Sequence, residues 1–340
     1  MSDEICKLAV KQNPNALRYV PHELMTEEIC KLACIQDGLA LYYVKQEFMT
    51  EEICKLAVKE NCFAIKYISP EKQTDEICKL AVQSRNGSLR FVKKESINEE
   101  LCKLAVKKDR YYALRYVPPE FMTEEICKLA VQQYGCTLEY IKSELITEEI
   151  CKLAVNNIGY ALHYIPPEFM TDEICKLACI NNGLALQYVP PELMTDEICK
   201  LACIQNGYAL QLVKPELMNY EICKLACAQN GLALQWIKPE LMTDEICKLA
   251  CAQDGRALQF VKLELMTEEI CKLACIQNCN AIQYVSPENQ TYEICEIAIK
   301  QDPRLIKFIC YKKRIMKLRK LTKTIKNKNK NLKYCIKTIQ

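Results

Sequence analysis

A single 24-residue phrase is written thirteen times along this chain. In the copy that starts at Thr171 it reads T-D-E-I-C-K-L-A-C-I-N-N-G-L-A-L-Q-Y-V-P-P-E-L-M. Its fifth residue is a cysteine in every copy, from Cys6 to Cys295. Every step between those cysteines is 24 residues except Cys102 to Cys127, where one residue is inserted near Tyr111 and Tyr112. A fixed period of this size means that one small supersecondary unit is stacked on copies of itself. The array runs from Ser2 to about Phe308, which overrides the two or three separate domains that length alone would suggest.

Half of the residues are apolar and about a quarter are charged, enough to bury a large core and stay in solution. No apolar run approaches the roughly 18 to 20 residues that a membrane span needs. The first copy is in phase from Ser2, which leaves no room for a signal peptide in the reading of the sequence alone. The 24 cysteines follow the helical repeat rather than a disulfide framework. That pattern suits a reducing intracellular compartment, where free cysteine acts as a small hydrophobe. The net charge is +3, but Lys312 to Gln340 holds twelve Lys or Arg and no acid, so the residues before it carry −9. The expected organisation is a repeat array over 1–311 and a basic tail over 312–340.

Numbered from its first residue, each copy opens on Ser, Thr or Asn, the types that cap a helix N-terminus. Acids such as Glu27 and Glu28 follow, where the helix dipole favours them. Met25 and Met49 precede the cap and are placed to staple against the first turn. On a helical wheel, positions 4, 5, 7, 8 and 9 (Ile29, Cys30, Leu32, Ala33, Cys34) form a wide apolar arc. Positions 2, 3, 6 and 10 lie opposite. So wide an arc implies neighbours on both sides, and the alanine at position 8 implies a close helix–helix contact. Position 12 is Asn or Asp in ten copies and position 13 is Gly in seven. Asn13-Pro14 and Asp302-Pro303 read as a cap followed by proline at the start of a second helix. Prolines at positions 20 and 21, as in Pro118-Pro119, end that helix. The predicted fold is therefore all-α, an α-solenoid of thirteen two-helix repeats with a basic C-terminal helix. The two helices are expected to hold about 11 and about 7 residues, and neither is stable alone.

The pattern E-I-C-K-L-A-V-K-Q-N, followed by A-L and an aromatic residue, resembles the short helical repeats of unknown function found in tandem arrays in mimivirus-type giant viruses and amoeba-associated bacteria. The resemblance covers Ser2 to about Phe308. It implies a helical repeat fold and a viral source, and it brings no catalytic residues. The heavy use of Lys, Ile, Asn and Tyr fits an AT-rich genome.

Few residues suggest chemistry. Six copies carry cysteine pairs four apart, such as Cys30/Cys34 and Cys199/Cys203, and two pairs could form a thiolate zinc site. In most other copies the second member is Val, as at Val58, and a valine cannot be a ligand, so packing explains the pairs and no metal is expected. His22 and His163 have no recurring partners, and no phosphate-binding glycine loop or nucleophile motif occurs. No cofactor and no catalysis are expected. Glu at position 3 and Lys at position 6 read as a solvated charge ladder, with position 2 and position 6 forming pairs worth about 0.2–0.5 kcal/mol each.

Position 10 is the informative one. It is Lys, Gln or Asn where position 9 is Val, and Ile or Ala where position 9 is Cys: Ile35 in repeat 2, then Ile180, Ile204, Ala228, Ala252 and Ile276 in repeats 8 to 12. Repeats 8 to 12 also carry Gln187, Gln211, Gln235, Gln259 and Gln283 at position 17. An apolar strip rimmed by amides is a candidate protein-partner surface; recent tandem duplication would also make these copies alike. The alternative is a basic arm for nucleic acid or an anionic surface, through Lys312, Lys313, Arg314, Lys317, Arg319 and Lys320. The same segment, Ile315 to Ile325, has the spacing of a capping helix. The leading expectation is a monomeric, non-catalytic scaffold for an unidentified protein partner.

Overall fold

In a computed structural model of the chain, the described residues are 2–83 and 88–310. The expected basic C-terminal helix and tail lie outside them. The chain forms two compact units, Met1–Phe169 and Met170–Gln340, so repeats 1 to 7 fall in one and repeats 8 to 13 in the other. Both are all-α among the described residues, with successive repeats packed on their neighbours.

Each repeat begins with an α-helix, as in Asp3–Gln12, Glu51–Glu60 and Asp196–Gln205. These helices hold 10 residues, apart from the 8 of Asp75–Val82. The position 1 residue caps each one by the sequence rule: the Thr195 hydroxyl accepts from the Ile198 N–H, and the Asn219 side-chain oxygen accepts from the Ile222 N–H. Position 12 then does two jobs. Asn206 leaves the helix with an extended backbone, its own N–H still donating to the Ala202 carbonyl. Its side-chain oxygen meanwhile accepts from the Tyr208 N–H at 3.0 Å and so starts the next element.

That next element differs from the expectation. It is a six-residue 3-10 helix, such as Gly207–Leu212 or Gly231–Trp236, and not a second α-helix. The reason is in the apolar spacing. Gly207, Leu210 and Val213 are all buried and lie three apart, the period at which 3-10 side chains eclipse. A short 3-10 turn follows in most repeats, and Pro119 and Pro239 stand at its first position. The extra residue after Cys102 is absorbed in the turn before the second element: Asp109 accepts from the N–H groups of Tyr111 and Tyr112, and the 3-10 helix shortens to Ala113–Tyr116.

The buried arc consists of positions 4, 5, 8 and 9; Ile198, Cys199, Ala202 and Cys203 have no exposed surface. Position 7 departs from the wheel, because leucines such as Leu32 and Leu201 are only half-buried at the rim of the interface. Ile5 shows what covers position 4. It has no preceding repeat among the described residues and is 57% exposed, whereas Ile29 and Ile53 are fully buried.

The tightest contact joins one repeat to the next. A methyl group added to Gly231 would stand 2.2 Å from the Ala250 carbonyl oxygen, and the same clash recurs from Gly183 to Ala202 and from Gly207 to Ala226. These glycines serve close backbone approach. This close approach to the position 8 carbonyl accounts for the glycine that stands at position 13 in seven of the copies. Gly231→Ala should lower stability by about 1–3 kcal/mol, the usual range for overpacking. Hydrogen exchange should rise around repeats 10 and 11 and stay unchanged in the first three repeats. A uniform rise along the chain would contradict nearest-neighbour stability.

Candidate functional site

The sequence-derived surface maps onto the second unit. Ile180, Ile204 and Ile276 are 54%, 54% and 53% exposed, and Ala228 and Ala252 between them are exposed as well. They occupy the last turn of five successive α-helices. Gln187, Gln211, Gln235, Gln259 and Gln283 are also exposed, on the 3-10 helices. Several of these amides turn inward on their own repeat: Gln187, Gln235 and Gln259 each donate to the carbonyl three residues earlier at 3.0 Å.

Between these two rows in the chain lie positions 11, 12 and 14, of which the sequence marked only position 12, and that as a cap. In repeats 9 to 11 they line one shallow groove of about 390 Å³. Gln205, Gln229 and Gln253 at position 11 act as clamps between repeats. The Gln229 side-chain oxygen accepts from the Gly207 N–H at 2.6 Å, and Gln253 accepts from Gly231 at the same distance. The Gln253 amide nitrogen in turn donates to the Gln229 backbone carbonyl at 3.3 Å, at the end of the preceding α-helix. Asn157 does the same in the first unit, accepting from Gly135 and donating to Gln132. Glutamine at position 11 thus supplies a donor and an acceptor to backbone groups that the helix terminus leaves over. At position 14, Tyr208 packs edge-on against Trp236 of the next repeat, with ring centroids 5.4 Å apart. Arg256 forks onto Asp254.

The charge ladder is also more than a solvated face. Lys55 meets Glu51 on its own helix at 3.1 Å and Glu76 of the next repeat at 2.5 Å. Lys31, Lys103, Lys128, Lys176 and Lys248 bridge in the same way. Position 3 is glutamate because it receives the lysine of the repeat before it. Hydrogen bonds that it donates to Glu76 and then Glu51 hold the Lys55 ammonium in its charged form, raising its pKa. Such pairs are half in water and individually weak.

The thiols are packed into the core. Of the cysteines in the described residues, all but Cys279 and the exposed Cys310 are buried. Burial, reinforced by neighbouring thiols, pushes Cys203 and Cys227 up from the ordinary 9.0 to about 12. Among the described residues no three His, Cys, Asp or Glu side chains form a group able to hold a metal ion. His22 pairs with Glu47 at 2.8 Å, and His163 lies edge-on to Tyr164. Lys312, Lys313, Arg314, Lys317, Arg319 and Lys320 are outside the described residues. No helix among the described residues is long and apolar enough to cross a membrane.

This geometry defines a class: tandem helical repeats joined by repeating backbone contacts, with the widest side-chain variation on the surface. The chain belongs to the family described as the domain of unknown function DUF4116, whose model matches residues 3–49, 50–96, 98–146, 147–194, 195–242, 243–290 and 267–312. Each match spans two of the repeats, so the family unit is a pair. No curated protein matches the chain.

The buried thiols give a test. In the native protein at neutral pH, a maleimide should modify Cys310 quickly and Cys279 slowly, apart from any reaction at Cys335, against 24 adducts after denaturation. Because burial raises the thiol pKa, the neutral form favours the folded state below pH 9.0, and that stability is lost as pH rises toward about 12. The thermal midpoint should therefore be flat from pH 7 to about 8.5 and then fall steeply. Fast labelling of Cys203, or a midpoint that does not move in alkali, would contradict this packing.

Proposed function

We propose that the chain is a non-catalytic scaffold that docks a protein partner on the exposed row Ile180, Ile204, Ala228, Ala252 and Ile276. One observation carries the reading: these isoleucines are more than half exposed on helices most of whose equivalents outside repeats 8 to 12 carry Lys, Gln or Asn (Ile35 is the exception), so the fold does not require an apolar group there. Burying one such side chain contributes roughly 1.5–3 kcal/mol, and three on one surface can dominate a modest interface. The packing of the thiols as core residues fits a reducing intracellular setting, such as the host cytoplasm of a giant virus, which the residue usage also suits. The chain acts as a monomer in this reading.

Changing Ile180, Ile204 and Ile276 together to Lys tests the reading. The thermal midpoint should stay within a degree or two, since the residues make no core, and capture of the partner from host-cell extract should be lost. A variant that folds and still captures the same proteins removes the row from the function. If capture is instead lost on truncation after Tyr311 and falls steeply with salt, the basic tail carries the binding.

A further inference from the structure

The groove across repeats 9 to 11 holds hydrogen-bond donors that the fold leaves unused. Asn206 and Asn230 each spend their side-chain oxygen on capping the 3-10 helix that follows, accepting from Tyr208 and Leu232 at 3.0 Å. Among the described residues their side-chain nitrogens meet no acceptor. Both residues are half-buried and line the groove. The two are set next to each other by the backbone contact between repeats, because a methyl group on Gly207 would lie 2.8 Å from the Asn230 Cβ. The result is one free amide donor in each of repeats 9 and 10, one packed-helix step apart, about 8–10 Å.

We propose that this groove binds a polypeptide segment in the polyproline II conformation, an inference that rests on the binding-scaffold reading. A polyproline II chain rises about 3.1 Å per residue with three residues per turn, so it offers a backbone carbonyl on one side every 9.3 Å or so. That period matches the step from Asn206 to Asn230. A β-strand presents carbonyls on one side about every 6.6 Å and does not match that step. An α-helix has no free carbonyls except at its end. Tyr208, fixed edge-on against Trp236, supplies an aromatic wall of the kind that proline rings pack on. Charge decides against nucleic acid. The cation of the groove, Arg256, is already forked onto Asp254, and the chain ahead of Lys312 carries −9. A ligand of neutral carbonyls suits such a surface, and a phosphate backbone does not.

The single tryptophan of the chain, Trp236, is the reporter. The full-length protein is titrated with a proline dodecapeptide, a Gly/Ser peptide of equal length and an oligouridylate, and binding is read by Trp236 emission and by calorimetry. The proline peptide should bind and shift the emission, with the other two weaker by roughly tenfold or more. The double variant Asn206→Asp, Asn230→Asp removes the donors and keeps the cap, because Asp254 caps the same position natively. Helicity and thermal midpoint should be unchanged and affinity should fall about tenfold, the loss expected for two hydrogen bonds. Absence of binding by the proline peptide, equal binding by the Gly/Ser peptide, or an unchanged affinity in the double variant overturns the proposal. Tighter binding of the oligouridylate overturns it in favour of RNA. If the isoleucine variant loses its partner while no proline peptide binds, this inference alone fails. If proline binding depends on Asn206 and Asn230 while capture ignores the isoleucines, the isoleucine row alone fails.

Discussion

Everything in each unit hangs on one backbone contact, the approach of the position 13 residue to the position 8 carbonyl of the following repeat. At Gly231 and Ala250 this contact leaves no space for a side-chain carbon. It draws the 3-10 helix of one repeat under the α-helix of the next, and that in turn buries Ile246 and Cys247 from behind. The glutamine clamp at position 11 then closes over the same junction, using Gln253 to satisfy the Gly231 N–H. Where position 13 is glycine, this close approach and the amide at position 11 together define the interface. The outer lysine bridges follow the spacing this contact sets, and at Lys200 the bridge to the next repeat is absent while the core is unaltered.

What the sequence made legible was whatever a single repeat contains. The helix starts were readable because Thr195 and Ile198 lie three residues apart and cap chemistry is local. The buried thiols were readable because valine replaces cysteine at the same position. Partnerships across 21 to 26 residues were not readable. Glu76 looks like any first-turn acid until Lys55 reaches it from the preceding helix. Gln253 looks like a solvent-facing residue until Gly231 is placed beneath it. In a perfect repeat every invariant position carries the same period, so periodicity cannot tell a residue kept for its own helix from one kept for its neighbour. The 3-10 geometry was missed for another reason. Six residues are too few for a wheel to separate a period of 3.6 from one of three.

The surface that remains is divided by the same logic. Positions 10, 14 and 17 take part in no junction between backbones, so they accept Lys, Ile, Tyr, Leu, Gln or Arg without altering the stack. Positions 11 and 12 are used twice, once for the junction and once as groove lining. A groove built from structural residues keeps its shape when the exposed residues change, and this makes repeats 9 to 11 a rigid floor with a variable rim.

The interface between repeats is the same surface met again one step along. A repeat copied in register would find on each side the partner that its template already had, so the array can grow or shrink by whole repeats at little energetic cost. Length is then a property that replication errors can adjust, much as a ruler is cut at its marks. The step from Cys102 to Cys127 is the one place off the marks: the residue added there sits in the turn at Tyr111 and Tyr112, and the 3-10 helix beyond it is shorter. A recombination event that joined copies from either side of that turn would carry the extra residue with it or lose it, leaving a record of where the array had been cut.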